Sequence, residues 1–191
     1  MTSDEALMLE FQGGSRAAFE ELFARYHKPL HGFFGRRLNN PHRAEDLAQE
    51  TFLAVIRTAS RYEPRASFRT YLCGIALKLL AAERRKFLTS STVGQSAPEA
   101  KTDGTPERVL WVRQAMEKLD AQEREILMLR EYEQLSYSDI AELLRIPVNT
   151  VRSRLFRSRL ALKSYLELEA KTNPALRARA EQPHPGRRGM Q

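Results

Sequence analysis

The stretch "LSYSDIAELLRIPVNTVRSRLFRSRLALK", Leu135 to Lys163, decides how this chain is read. Ser136 stands three residues before Asp139, the spacing of a helix N-cap with its reciprocal partner. Ile140, Ala141, Leu143 and Leu144 then give a short helix one apolar face. Ile146 and Val148 supply apolar turn positions, and Val151 and Leu155 carry the packing face into a second helix. A capped helix, a tight turn and a second helix are the sequence form of a helix-turn-helix, whose second helix enters the major groove of DNA. Such turns usually place glycine where the chain needs positive φ. Arg145 stands there instead, and the spacing predicts strain of about 1 kcal/mol.

The second helix carries Arg152, Arg154, Arg157, Arg159 and Lys163 with no acidic residue among them, and Arg145 just precedes it. Surface helices usually mix signs, because like charges four apart repel. The sequence thus shows six unopposed positive charges and predicts an anionic partner. Arg152, Ser153, Phe156 and Arg157 project away from the packed face, and arginine there can grip phosphates or bind guanine bidentately.

The rest of the chain agrees. Its 191 residues suffice for one large or two small domains, 42% are hydrophobic, and the net charge of +7 favours a polyanion such as nucleic acid. That charge is unevenly spread. Residues 107–143 hold nine Asp/Glu against five Lys/Arg, whereas 61–86 hold seven basic and two acidic residues. A single cysteine, Cys73, excludes an internal disulfide and fits a reducing compartment. No run of about 18 apolar residues could span a membrane. The start, "MTSDEALMLEF", is acidic where a signal peptide is basic, so a cytoplasmic protein is expected.

Glycine and proline gather at joints, and nothing alternates for long, so an all-α fold of two small helical domains is expected. Residues 1–87 form the first, 88–106 a flexible linker rich in Ser, Thr, Gly and Pro, and 107–169 the helix-turn-helix domain. Residues 170–191 form a basic, proline-rich tail expected to be disordered. Asn40 is placed to cap a helix with Pro41 at its first position, and Asp120 to cap another with Glu123 three residues on. Ala44, Leu47, Ala48, Thr51 and Val55 recur at helical spacing and face inward. Asp46, Gln49, Glu50 and Leu53 then share the outward face, which suits a basic partner helix.

"LREYEQLSYSDIAELLRIPVNTVRSRLFRSRLALK" resembles the C-terminal DNA-reading domain of bacterial extracytoplasmic-function sigma factors of the sigma-70 family. "AEDLAQETFLAV" is similar to that family's core-polymerase-binding segment, and "FRTYLCGIALKLLAAERRK" to its promoter-melting segment. The resemblance implies an alternative sigma factor that binds core RNA polymerase and directs initiation at chosen promoters. It assigns −35 recognition to Arg130, Pro147, Asn149, Thr150, Arg152, Ser153, Phe156 and Arg157. It assigns −10 recognition and melting to Tyr62, Arg65, Ser67, Arg69, Tyr71, Lys78, Arg84, Arg85 and Lys86; Phe68 stands among these candidates, and for it and Leu72 the alternative is a place in the core. Asp46, Gln49, Glu50 and Leu53 become the polymerase-docking face. The implied partners are the coiled coil of the polymerase largest subunit and the flap, promoter DNA, and an anti-sigma protein. Three positions depart from the family pattern: Asn149 replaces a glycine, Tyr71 a tryptophan and Lys78 an asparagine.

No cofactor or enzyme activity is implied. His27, His31, His42 and His184 have no partners at metal-ligand spacing, and there is no phosphate-cradling glycine loop or nucleophile–base pair. An autonomous helix-turn-helix regulator would need a dimerisation or ligand domain. A small nuclease would need clustered carboxylates or histidines. Neither feature is visible. Cys73, in an apolar helical stretch, reads as a buried structural thiol, and Trp111 as packing.

Overall fold

A computed structural model describes residues 2–38, 40–90 and 107–172, and all their regular structure is helical. Segment 91–106, most of the expected linker, and the tail after 172 lie outside the described residues. The first domain comprises α1 (Asp4–Gln12), α2 (Arg16–Gly35), α3 (Pro41–Thr58) and α4 (Phe68–Ser90), with one short 3₁₀ turn at Ala59–Arg61. The second comprises α5 (Glu107–Glu117), α6 (Ala121–Glu131), α7 (Tyr137–Leu144) and α8 (Val148–Thr172).

Local chemistry sets the helix starts. Ser3, Ser15 and Asn40 accept from backbone N–H groups of Ala6, Ala18 and Arg43, and Pro41 occupies the first turn of α3. Asp120 accepts from Gln122 and Glu123 N–H, and these bonds hold its carboxyl below the ordinary range. Glu5, from α1, accepts the Phe68 N–H at 2.8 Å, placing a carboxylate at the positive end of α4. Two helices run past the boundaries expected from composition. α4 continues to Ser90, where Thr89 Oγ1 donates to the Arg85 and Lys86 carbonyls and keeps the last turn closed. α8 continues to Thr172 because no breaker occurs before Pro174.

α2 packs on α1 and α3, α3 on α4, and α8 on α5, α6 and α7. Ala44, Leu47, Ala48, Thr51 and Val55 all face the core of the first domain, with Phe33, Phe34 and Phe68 fully buried. In the second domain Ile126, Leu129, Leu135, Ile140, Val151 and Leu155 form the centre. The two sets belong to one continuous apolar cluster, so the domains rest against each other. Gly74 of α4 lies close to α7: a Cβ there would lie 3.2 Å from Leu143 Cδ2.

Candidate nucleic-acid interface

The helix-turn-helix forms as its sequence dictates. Ser136 accepts from the Asp139 N–H, and Asp139 accepts from the Ser136 N–H at 3.1 Å, which completes a capping box at the start of α7. Arg145 ends α7 in the left-handed region, φ 53° and ψ 47°. Its N–H reaches the Glu142 carbonyl and the Ile146 N–H reaches that of Ala141, a Schellman closure built on arginine instead of glycine. The left-handed backbone expected at Arg145 is therefore present. Asn149 needs no special backbone: it lies in the first turn of α8 and its φ is not positive.

Arg152, Ser153, Phe156 and Arg157 are exposed together along the first turns of α8, and Phe156 is 69% exposed although it is a large apolar residue. Pro147 and Asn149 are exposed beside them, and Thr150 is half-buried. The expectation that the basic helix is unopposed does not hold. Arg157 pairs with Glu123 at 3.4 Å and Arg159 with Glu131 at 2.6 Å, both on α6. The sequence window contained no acid because the counter-charges arrive through tertiary packing. Arg130 is turned to local use: it donates to the Leu135 carbonyl at 2.7 Å and stacks on Tyr137, bracing the loop before α7.

The candidates on the first domain divide. Arg65, Ser67, Arg69, Lys78, Arg84, Arg85 and Lys86 are exposed. Tyr62 is buried, its hydroxyl pushed up to a pKa of about 12 by that burial, so its ring faces the core with Phe68 and Leu72. Tyr71 is half-buried and shares a 2.6 Å hydrogen bond with Thr58. Ser67 caps α4 by accepting from the Thr70 N–H at 3.1 Å.

On α3, Asp46 and Gln49 point outward, and Leu53 is 52% exposed. Ile56, three residues after Leu53 on α3, is also exposed and was missed in the sequence, as was the exposed Phe23 of α2, whose ring lies 4.7 Å from that of Phe52. Glu50 is not free. Arg43 binds it at 3.0 Å, holds Glu83 of α4 through two bonds of 2.7 and 2.8 Å, and lies 3.5 Å from Asp46. The Glu83 hydrogen bonds raise the pKa of Arg43 and lower that of the buried Glu83. His27 and His31, which lacked an apparent partner in the sequence, both meet Glu45 of α3, at 3.1 and 3.8 Å. The Gln49 amide, then His27, hold the Glu45 carboxyl below its ordinary value. Among the described residues no cluster has the geometry to hold a metal ion. Cys73 is buried, and that burial pushes its thiol up to about 12.

A capped helix-turn-helix with an exposed basic reading face, carried beside a second helical domain, is the architecture of a transcription protein that reads DNA sequence. Comparison with known proteins narrows that class. Residues 22–86 match sigma-70 region 2, and residues 110–162 match sigma-70 region 4. RNA polymerase sigma-H factor of Pseudomonas aeruginosa is 32% identical over 181 residues, covering 86% of this chain and 94% of that protein. The ECF RNA polymerase sigma-E factor of Haemophilus influenzae is 29% identical over 182 residues, covering 86% and 96%. The solved complex of the sigma factor RpoE from Bartonella quintana with the anti-sigma factor NepR shares the fold, at TM-score 0.64 and 22% identity over 78% of this chain and 96% of that one. The chain belongs to the sigma-70 family of RNA polymerase sigma factors, in its extracytoplasmic-function group. It is an alternative sigma factor that directs promoter-specific transcription initiation. No described helix is long and apolar enough to cross a membrane.

Proposed function

We propose that the first turns of α8 read the −35 element, that the exposed basic face beginning at Ser67 and Arg69 holds the opened −10 element, and that the outward face of α3 docks on core polymerase. The observation that carries this is the joint exposure of Arg152, Ser153, Phe156 and Arg157 on one face of a helix whose other side is fully packed. An apolar ring left in water beside arginines suits a thymine methyl and a phosphate or guanine edge. Lys78 contributes a point charge to the −10 surface, favouring backbone phosphate over a base edge. On α3, Leu53 and Ile56 supply an apolar centre and Asp46 a charged rim, the usual anatomy of a docking face.

The protein acts in the cytoplasm as a binding subunit without chemistry of its own. An anti-sigma protein is its further partner, as NepR is of the Bartonella RpoE. The test is transcription in vitro from a genomic fragment library, with core polymerase alone and with this protein added. Starts that appear only with the protein, and share two spaced upstream elements, are the expected result. R152A and R157A should each weaken −35 discrimination by roughly 1–3 kcal/mol while leaving copurification with polymerase intact. Undiminished discrimination by both variants would remove α8 as the reader.

A further inference from the structure

α1 carries none of the residues assigned above to promoter or polymerase, yet its side chains hold both ends of one segment of the first domain. The helix itself is firmly seated. Ser3 caps it, Leu7 and Met8 are buried, and Asp4 accepts from Arg25 at 2.6 Å and from the Tyr26 hydroxyl, both on α2. From that base Gln12 reaches the 3₁₀ turn that follows α3. Its side-chain amide donates to the Ala59 carbonyl at 3.0 Å and to the Tyr62 carbonyl at 3.3 Å. Glu5, two turns earlier on α1, accepts the Phe68 N–H at 2.8 Å. Seven residues of helix set these two side chains roughly 10 Å apart along the axis.

The chemistry at each end is matched. Carbonyls that close a helical stretch lack donors, and N–H groups that open one lack acceptors. α1 offers an amide donor to the first kind and a carboxylate acceptor to the second. Between the two clamps run Glu63 to Ser67, without regular structure and largely exposed. Within that run the Arg65 N–H donates to the Glu63 carbonyl at 2.8 Å, and the Arg65 guanidinium to the Glu63 carboxylate at 2.6 Å. These bonds curl the segment but are internal to it. Tyr62, whose carbonyl Gln12 holds, is buried edge-on against Tyr71 at 5.0 Å. A segment this short and irregular keeps one shape only when its ends are fixed, and a receiving surface present for a fraction of the time binds more weakly by that fraction.

We propose that α1 is a clamp that holds segment 59–68 in a base-receiving shape, with Gln12 and Glu5 as positioning residues for −10 recognition. This rests on placing −10 recognition at Arg65, Ser67 and Arg69.

The experiment uses the full chain in four variants. Q12M removes the donor at similar length, and Q12K keeps a donor; E5A removes the acceptor, and E5Q keeps one. Backbone hydrogen exchange across 62–68 in the free protein should quicken in Q12M and E5A and stay near the parent rate in Q12K and E5Q. Transcription with core polymerase is then read from templates that share a fixed −35 element and are randomised across the −10 window. Q12M and E5A should each lose about tenfold in preference for the best −10 windows over the poorest, as when a competent conformer falls to a tenth of its population. Preference at the −35 element and copurification with polymerase should not change, and Q12K and E5Q should restore the −10 preference. Parent-like exchange or undiminished −10 preference in Q12M and E5A overturns the clamp. So does a loss that follows the denaturation midpoints of the four variants instead of their donor and acceptor chemistry. A parent protein that transcribes but shows no preference among −10 windows would overturn the −10 assignment itself, a result distinct from failure of the variants.

Discussion

Arg145 is a single residue held in a backbone region that suits glycine, and the Schellman closure of α7 depends on it. The arginine side chain is exposed, and among the described residues no hydrogen bond or ion pair of that side chain offsets the strain. R145G should therefore raise the stability of the second domain by about 1 kcal/mol, read as a higher denaturation midpoint at an unchanged slope. An unchanged midpoint would mean that the added unfolded-state freedom of glycine cancels the relief. The site was legible in the sequence, because a helix cap and a following apolar turn fix which residue must reverse the chain. So was the packed face of α8, whose Val151 and Leu155 are buried as expected. The ion pairs of Arg157 and Arg159 were not, since their acids stand on another helix.

At the scale of elements, α3 and α4 are tied by Arg43. R43M would leave Glu83 buried without a counter-charge and should destabilise the first domain by roughly 2–3 kcal/mol near neutral pH. The pH dependence has a definite sign. Arg43 depresses the Glu83 carboxyl in the folded state, so its contribution is present above the ordinary value of 4.5 and is lost as pH falls through the lowered one. The gap between parent and variant in urea titrations should therefore narrow below pH 4.5. The same tie alters how the α3 face is best tested. Reversing Glu50 would set a lysine against Arg43 and loosen α4, confusing docking with folding. L53A with I56A avoids this, because both side chains lie in water on the outward face and neither is charged. The double variant should lose copurification with core polymerase while keeping its helical content. Retained copurification would move the docking face off α3.

Across the whole molecule, the helices and their inward faces could be read from periodicity, and the junction between the domains could not. Its charge pairs, Arg37 with Glu125 and Arg36 with Glu133, join residues 88 and 97 positions apart, and no local pattern encodes such a meeting. The charge imbalance between 61–86 and 107–143 was visible but had no geometry until the domains were placed. Cys73 reports on that geometry. Burial dominates its raised pKa, and the charged groups acting on it, Glu133, Arg37, Arg69 and Glu125, all belong to the junction. With a pKa of about 12, roughly one thiol in ten thousand is ionised at pH 8. The free protein should resist iodoacetamide there, and E125Q with E133Q should speed alkylation, followed by intact mass. Rapid modification of the parent protein would contradict the burial.

The exposed face of α3 sets a kinetic expectation. Leu53 and Ile56 stand in water, so the docking proposed for this face needs no prior change of shape in the chain. Capture by polymerase would then be bimolecular, its rate rising in proportion to polymerase concentration with no plateau set by a slow opening step.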